Sequence, residues 1–259
     1  VMSERISDHL PNTEKYIPKQ RLWYIRAKEV IISSGSIERP LVFGNNDTPG
    51  VMLSSAAKEY IKIYGVLVGK KPLIFTNNDS GYETAIEFKK NGIDPIILDT
   101  RKNPSSDIIT EAKNLSITIK YSHVVVAAKG YKKVRSADIA EISEDKKVLG
   151  KIENISCDCI CVSGFWTPTI HLASQSGSKS FFKKEIDAFV PINSKQNETT
   201  VGSANGIFSL DETVNNAFEK GFILANKITN KDNKVTTPTV VEKKSSPHDK
   251  FWCVPLPKG

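Results

Sequence analysis

Small residues close two β-branched segments of the chain, and such strand ends allow a backbone to approach a nucleotide. The first segment, residues 27–35, ends on Ser34 and Gly35, and the second, residues 157–164, ends on Ser163 and Gly164. Parallel strands that are buried on both faces have this composition, and open α/β sheets bind ligands just beyond the carboxyl ends of their strands. A tight turn after a core strand explains either segment taken alone. Further candidate nucleotide contacts directly downstream of the first segment are Ser36 and Arg39.

A third glycine-containing turn strengthens this interpretation. Residues 201–206 read Val-Gly-Ser-Ala-Asn-Gly, and a periodic helix is predicted from Leu210 to about Ile228. The positive end of a helix beside free backbone N–H groups favours a pyrophosphate. We therefore predict that Gly202, Asn205 and Gly206 contact a nucleotide.

Between these features lies a complete strand, turn, helix and strand unit. It comprises a strand at residues 72–76, a helix at about 82–90 and a strand at 95–99, which is typical of a doubly wound sheet. Its turn, Thr76 to Gly81, lacks the G-x-G-x-x-G pattern, so an Asx turn is favoured over close phosphate contact. Thr76 and Asn77 remain candidate contacts. Asp99 ends the second strand, where an acidic residue can hold a ribose hydroxyl. Arg101 lies close by, so these two residues do not distinguish NAD from NADP.

The elements that position these residues predict an α/β fold with two nested Rossmann-like dinucleotide-binding domains. Ser54 or Ser55 is expected to cap a helix that Gly65 and Gly69 close, and residues 130–154 are expected to form a small antiparallel meander. Residues 157–163 are expected to return to the first sheet, and residues 229–248 to form a polar linker before an apolar terminal segment that seeks a partner surface. The predicted division is 1–64 for the first segment of the outer domain, 65–150 for the inserted domain, 151–228 for the second outer segment, and 229–259 for a linker and the start of a next region.

Composition narrows the function classes. The 259 residues are 39% hydrophobic and 25% charged, with no apolar run long enough to span a membrane and no apolar leader, which favours a cytoplasmic protein. The net charge of +7 is spread along the chain without interleaved aromatic residues, which argues against nucleic-acid binding. Cys157, Cys159 and Cys161 alternate as in one face of a buried strand. No cysteine pair or histidine has redox, metal-ligand or catalytic-triad spacing, so no catalytic or metal residue is predicted. His171 is a candidate for a subunit interface.

Longer motifs resemble one family. The central part of sarcosine oxidase alpha subunits is similar to this chain over about residues 21–255, and the motifs that carry the resemblance are ERPLVF at 38–43, NDTPGVML at 46–53, FTNNDS at 75–80, VSGFWTP at 162–168 and VGSANG at 201–206. The resemblance implies a subunit that binds NAD and supports an FMN at the interface with a beta subunit, with FAD in that partner and with gamma and delta subunits completing a heterotetramer. It also implies a tetrahydrofolate-binding domain downstream of this region, and a first strand and phosphate loop upstream of Val1, which would leave the outer domain incomplete at its N-terminus.

The activity that the resemblance implies is the oxidation of sarcosine by O₂ to glycine, formaldehyde or methylene-tetrahydrofolate, and H₂O₂, with the main chemistry on the partner subunit. Asn205 stands where flavin-containing relatives of the wider fold have Asp, which suits a bound nucleotide that need not be FAD. Two alternatives remain open. One is a degenerate nucleotide-binding structural subunit of a related amine, proline or opine oxidase or dehydrogenase. The other is a free-standing pyridine-nucleotide oxidoreductase.

Overall fold

The computed structural model describes residues 1–192, 194–231, 236–241 and 243–255. Within this part of the chain the strands are β1 (Met2–Arg5), β2 (Gln20–Trp23), β3 (Val30–Ile32), β4 (Ser36–Glu38), β5 (Val51–Leu53), β6 (Pro72–Thr76), β7 (Ile96–Asp99), β8 (Thr118–Tyr121), β9 (His123–Lys129), β10 (Ser136–Ile142), β11 (Val148–Ser156), β12 (Cys159–Ser163), β13 (Trp166–Pro168), β14 (Lys179–Lys183), β15 (Ala188–Ile192) and β16 (Glu198–Thr200). The helices are α1 (Ser54–Tyr64), α2 (Ser80–Lys90), α3 (Asp107–Asn114), α4 (His171–Gln175) and α5 (Leu210–Thr229), with a 3-10 helix at Gly202–Asn205.

The centre of the fold is a five-stranded parallel sheet in the order β5-β12-β6-β7-β8. The predicted strand, turn, helix and strand unit is confirmed as β6, α2 and β7, with Thr76 paired to Asp99 at the carboxyl edge. All five residues of β6 are buried. Such a strand needs cover on both faces, and its continuous apolar run reflects that requirement.

Two layers supply this cover. On one face, α1, α2 and α3 enclose a core that includes Ile74, Tyr82 and Ile97. On the other face lies an antiparallel sheet in the order β11-β10-β9, which packs Val124 and Ile139 against the parallel sheet. The predicted antiparallel meander is therefore confirmed.

The expectation that residues 157–163 return to the first sheet is wrong. Strand β12 pairs in parallel with β6 from Cys159 opposite Pro72 to Ser163 opposite Thr76. We therefore propose that the inserted unit ends after Ser163 and not at residue 150. The prediction that the three cysteines share one face fails for Cys157, which packs into the core on the opposite side of the sheet from Cys159 and Cys161.

A distant carboxylate stands at the N-terminus of helix α1. The helix begins at Ser54 with Leu53 as its N-cap and without a capping side chain from either predicted serine. Instead, the Ser55 N–H donates to Oε2 of the buried Glu38 over 2.8 Å. Gly65 ends the helix in the left-handed conformation as predicted, whereas Gly69 packs against Cys159 and Asp158.

The outer unit is built from small two-stranded sheets and helix α5. Strand β3 pairs in parallel with β16, β4 pairs antiparallel with β13, and β14 forms an antiparallel pair with β15. Val30 and Ile31 of β3 are 46% and 45% exposed, so the prediction that this strand is buried on both faces is wrong. Helix α5 confirms the predicted helix that follows Ser209.

The last part of the segment predicted as a linker, residues 244–247, is attached to the inserted unit. Residues 232–235 and 242 lie outside the described part, but residues 243–254, hereafter the strap, lie along the carboxyl edge of the parallel sheet. Phe251 and Val254 are buried in the core. The Val42 N–H donates to the Trp252 carbonyl over 2.7 Å, and the Val254 N–H donates to the Val42 carbonyl over 2.8 Å. These contacts belong to the apolar terminal segment, and the surface on which it packs is this chain's own core.

Candidate functional site

Two predicted nucleotide segments meet at one edge of the outer unit. Strands β3 and β16 are parallel, and the Val201 N–H donates to the Ile32 carbonyl over 3.0 Å. Ser34 and Gly35 therefore follow one strand end, and Gly202 follows the neighbouring one. Open α/β sheets bind ligands at such paired carboxyl ends.

Gly35 is the one predicted site glycine with open space at its α-carbon. Its φ is 76°, and a Cβ placed there would meet nothing within 4 Å. By contrast, a Cβ at Gly164 would lie 2.8 Å from the Arg39 carbonyl oxygen, and one at Gly206 would lie 2.7 Å from Ile186. A Cβ at Gly202 would contact Thr213 at 3.1 Å. The protein's own packing accounts for these three glycines, whereas Gly35 leaves room for a ligand.

Arg39 is engaged with the protein. Its guanidinium donates to the carbonyls of Asp187, Ile186 and Trp166 over 3.0–3.3 Å and stacks 4.5 Å from the Trp252 ring. Burial lowers the pKa of Arg39, and Asp187 opposes that shift. Its Nε is buried without a partner among the described residues. Arg39 therefore ties β13, the loop before β15 and the strap together.

The remaining predicted contacts of the outer unit lie around the same edge. The Ser34 hydroxyl donates to the Thr169 carbonyl over 2.8 Å, and Ser36 pairs with Pro168 in the β4–β13 ladder. Asn205 is half-buried in the 3-10 helix. Helix α5 starts only at Leu210 and carries Asp211 in its first turn, so its positive end is already offset by acidic charge.

The turn of the inserted unit confirms the predicted Asx turn. The Asn78 side-chain oxygen accepts the Ser80 N–H over 2.8 Å, while its amide donates to the Ser163 carbonyl over 3.0 Å. Thr76 accepts the Asn78 N–H through Oγ1 over 3.1 Å. A Cβ at Gly81 would meet Thr76 at 2.6 Å, so this glycine is required for helix and strand to pack. The Asx turn therefore forms at Asn78 as predicted, whereas the Asn77 amide donates outside the turn, to the carbonyls of Asp249 and Phe251.

Asp99 is fully buried and fully engaged. Its carboxylate accepts the Tyr82 hydroxyl over 2.7 Å and a bidentate bond from Arg101, with Nη2 at 2.8 Å. Burial, followed by the Asp99 charge, raises the pKa of Tyr82. Burial lowers the pKa of Arg101, but its bonds to Asp99 and Asp79 outweigh that effect and raise it. The carboxylate expected to hold a ribose is thus neutralised by the protein.

A cavity of about 490 Å³ lies between the N-termini of α2 and α5 and the strap. Phe165 stacks on His248 of the strap with ring centroids 3.9 Å apart, and the Trp166 indole donates to the Ser80 hydroxyl over 2.9 Å. Sequence reasoning did not identify His248 or Phe208, which also lines the cavity, because neither belongs to a chemical motif. The aromatic pair that follows Ser163-Gly164 is the signal that marks this wall in the sequence.

Other predicted features give no second site. His171 begins the short helix α4, on the exposed side of the outer unit. The cysteines are free, and burial raises the pKa of Cys157 to about 12. Across the described ranges no group of three metal-ligating side chains occurs. Nor does any described helix combine the length and apolarity needed to cross a membrane.

Comparison with known proteins supports both the resemblance and the fold. The chain is 32% identical to the sarcosine oxidase subunit alpha of Corynebacterium sp. (strain P-1) over 194 residues, which cover 74% of this chain and 20% of that protein. It is 34% identical to the subunit alpha of Rhizobium meliloti (strain 1021) over 202 residues, or 78% of this chain and 19% of that protein. The resemblance predicted from the motifs is confirmed, and the chain spans about a fifth of the length of these relatives. No protein-family model matches the chain.

Solved structures establish the fold. Thioredoxin reductase of Lactococcus lactis superposes with a TM-score of 0.58 at 16% identity, covering 78% of this chain and 65% of that one. Thioredoxin reductase of T. acidophilum gives a TM-score of 0.55 at 18% identity, covering 70% and 59%. The predicted α/β fold with Rossmann-like dinucleotide-binding domains is confirmed.

Proposed function

We propose that this chain is the cofactor-holding part of an alpha subunit in a flavin-dependent amine oxidoreductase of the sarcosine oxidase type. The identity of about a third to two curated alpha subunits carries this proposal. The proposed reaction oxidises the CH–NH group of sarcosine with O₂ as the final electron acceptor, giving glycine, formaldehyde or methylene-tetrahydrofolate, and H₂O₂. The assembly is a cytoplasmic heterotetramer with beta, gamma and delta subunits, and tetrahydrofolate binds outside this region.

Within that assembly, we propose that the outer unit binds NAD at the paired strand ends. Gly35 supports this placement because its open α-carbon would let a pyrophosphate approach the backbone. Ser34, Ser36, Gly202 and Asn205 surround the same edge. The chain beside this edge is held by contacts within the protein that involve Gly164, Gly206 and Arg39.

The flavins are proposed to lie outside this chain's own core, FMN at the interface with the beta subunit and FAD within that partner. When bound, a flavin accepts the electron pair released by amine oxidation. This chain's residues supply binding and support.

The test is the cofactor content of the purified full assembly. Denaturation should release NAD, and a peptide-linked FMN should be found on a second chain by mass spectrometry. Gly35→Ala should lower NAD retention about tenfold or more, since the new methyl group would fill the space left for the pyrophosphate. Gly65→Ala is the matched control, because Gly65 also has a positive φ of 64° and no atom within 4 Å of a Cβ. Equal NAD retention in both variants would contradict the proposed site.

A second candidate function is favoured by one observation. The Asp99–Arg101 pair engages the carboxylate that would hold a ribose, which favours a degenerate nucleotide fold in a structural subunit of a related amine, proline or opine oxidase or dehydrogenase. An assembly that yields flavin but no NAD on denaturation would support this structural role.

A further inference from the structure

In a dinucleotide fold, three features at the carboxyl edge of the sheet receive the ligand. The turn after the first strand and the N-terminus of the next helix meet the pyrophosphate, and an acidic residue at the end of the second strand holds a ribose hydroxyl. In the inserted unit these features are the Thr76–Gly81 turn, helix α2 and Asp99. The strap contacts the turn directly and reaches Asp99 through the side chain of Arg101.

At the turn, backbone groups of the strap form hydrogen bonds with Asn77. The Asp249 N–H donates to the Asn77 carbonyl over 2.8 Å. The Asn77 side-chain amide donates to the carbonyls of Asp249 and Phe251 over 2.9 and 3.2 Å. Asn77 is fully buried beneath these contacts. A pyrophosphate approaching this turn would therefore have to displace the strap.

Near the acidic positions, the strap joins the charge network. The Ser246 N–H donates to Asp79 Oδ2 over 2.9 Å, and Arg101 donates through Nη1 to the Pro247 carbonyl over 3.1 Å while pairing with Asp79 and Asp99. Backbone groups of the strap thus stand where ribose and phosphate oxygens would seek partners. The two carboxylates and one guanidinium are satisfied without a ligand.

Both ends of the strap are fastened. At its start, Lys244 exchanges two hydrogen bonds with Asp107 at the N-terminus of α3, over 3.0 and 3.1 Å. At its end, Phe251 is 8% exposed, and the Trp252 indole donates to the Gly164 carbonyl over 2.6 Å. The strap therefore follows one continuous path from α3 across β7 and β6 to the outer unit.

We infer that the strap is the resident occupant of the inserted unit's dinucleotide site at Asn77, Asp79 and Arg101, beside the cavity at the N-terminus of α2. The inserted unit serves as a docking surface for the chain's own downstream segment, and Asn77, Asp79 and Arg101 recognise peptide groups in place of a nucleotide. This inference goes beyond the proposed function, since it concerns the second fold and holds whether or not the outer unit binds NAD. It replaces the predicted nucleotide roles of Thr76, Asn77 and Asp99.

The test uses Asn77→Asp in the full chain with trypsin as the probe. The variant keeps the side-chain shape but sets a carboxylate oxygen against two carbonyl oxygens, so the strap should detach. Cleavage after Lys244 and Lys250 should accelerate about tenfold or more, because proteolysis follows the population of the open state. Asn91→Asp is the matched control, since its amide also donates to a carbonyl, that of Glu87, at 2.9 Å far from the strap. Cleavage of the Asn77 variant within twofold of the wild-type rate would overturn the inference.

A second measurement uses the wild-type protein and therefore does not depend on whether the variant folds. NAD at millimolar concentration should leave the cleavage rate after Lys244 and Lys250 unchanged. Faster cleavage with NAD would show that the nucleotide displaces the strap and would overturn the inference. If NAD binds without this effect, or does not bind at all, the strap stays in place and the inference is supported. Only failure to bind counts against the proposed function.

Discussion

Removing the guanidinium group of Arg101 should destabilise the protein strongly. In Arg101→Met, the bidentate bond to Asp99 and the 2.8 Å bond to Asp79 are lost, and so is the donor to the strap at Pro247. Asp99 is fully buried, so its carboxylate would have no cationic partner in a medium of low polarity. Breaking a buried ion pair from one side costs about 3–5 kcal/mol. For a chain of this size that corresponds to a fall in Tm of about 6–20 °C.

The assay is thermal unfolding followed by circular dichroism at neutral pH. Lys102→Met is the control, because the neighbouring Lys102 pairs with Glu144 on the exposed surface and its loss should leave Tm unchanged. The double variant Arg101→Met with Asp99→Asn should recover part of the loss, since it removes the charge that would be left buried. A fall in Tm for Arg101→Met of less than about 2 °C would mean that Asp99 is not left as an uncompensated buried charge, because such a charge should lower Tm by about 6 °C or more.

Two further predictions concern buried ionisable groups. Burial raises the pKa of Glu38 above its ordinary value despite bonds from Ser163 and Ser55, so the folded state binds more protons and stability should fall as the pH rises from 4.5 through the raised pKa. Glu38→Gln should flatten that slope in Tm measured across pH 4–8, and an unchanged slope would exclude Glu38 as its source. Tyr82→Phe should cost about 1.5–3 kcal/mol in urea unfolding, because it removes a hydrogen bond to a buried carboxylate. A loss below about 0.5 kcal/mol would mean that this bond contributes little to stability.

The periodic elements could be predicted because their signal is local. The β6, α2 and β7 unit, the meander and helix α5 follow from apolar spacing and turn residues in the sequence itself. The Asx turn at Asn78 could be predicted for the same reason, since a short polar side chain bonds to its own backbone neighbourhood.

Features that depend on distant partners could not be predicted. Strand β12 looked like a return to the first sheet because a buried parallel strand has the same composition in either sheet. Residues 243–248 of the strap looked like part of a linker, because Lys, Ser and Pro carry no sign that their backbone groups will meet Asp79 and Arg101. Asp99 was recognised by position, but its role depends on Arg101 and Tyr82, which only the fold brings to its carboxylate.

In the proposed arrangement, NAD binds at the outer edge while the strap occupies the inserted unit. Hydrogen exchange of the full chain, measured by mass spectrometry with and without saturating NAD, tests both placements together. Exchange at residues 33–36 and 202–206 should slow on adding NAD, with no change at residues 77–80 or in the strap. Slower exchange at residues 77–80 together with faster exchange in the strap would place NAD in the inserted unit and contradict this arrangement.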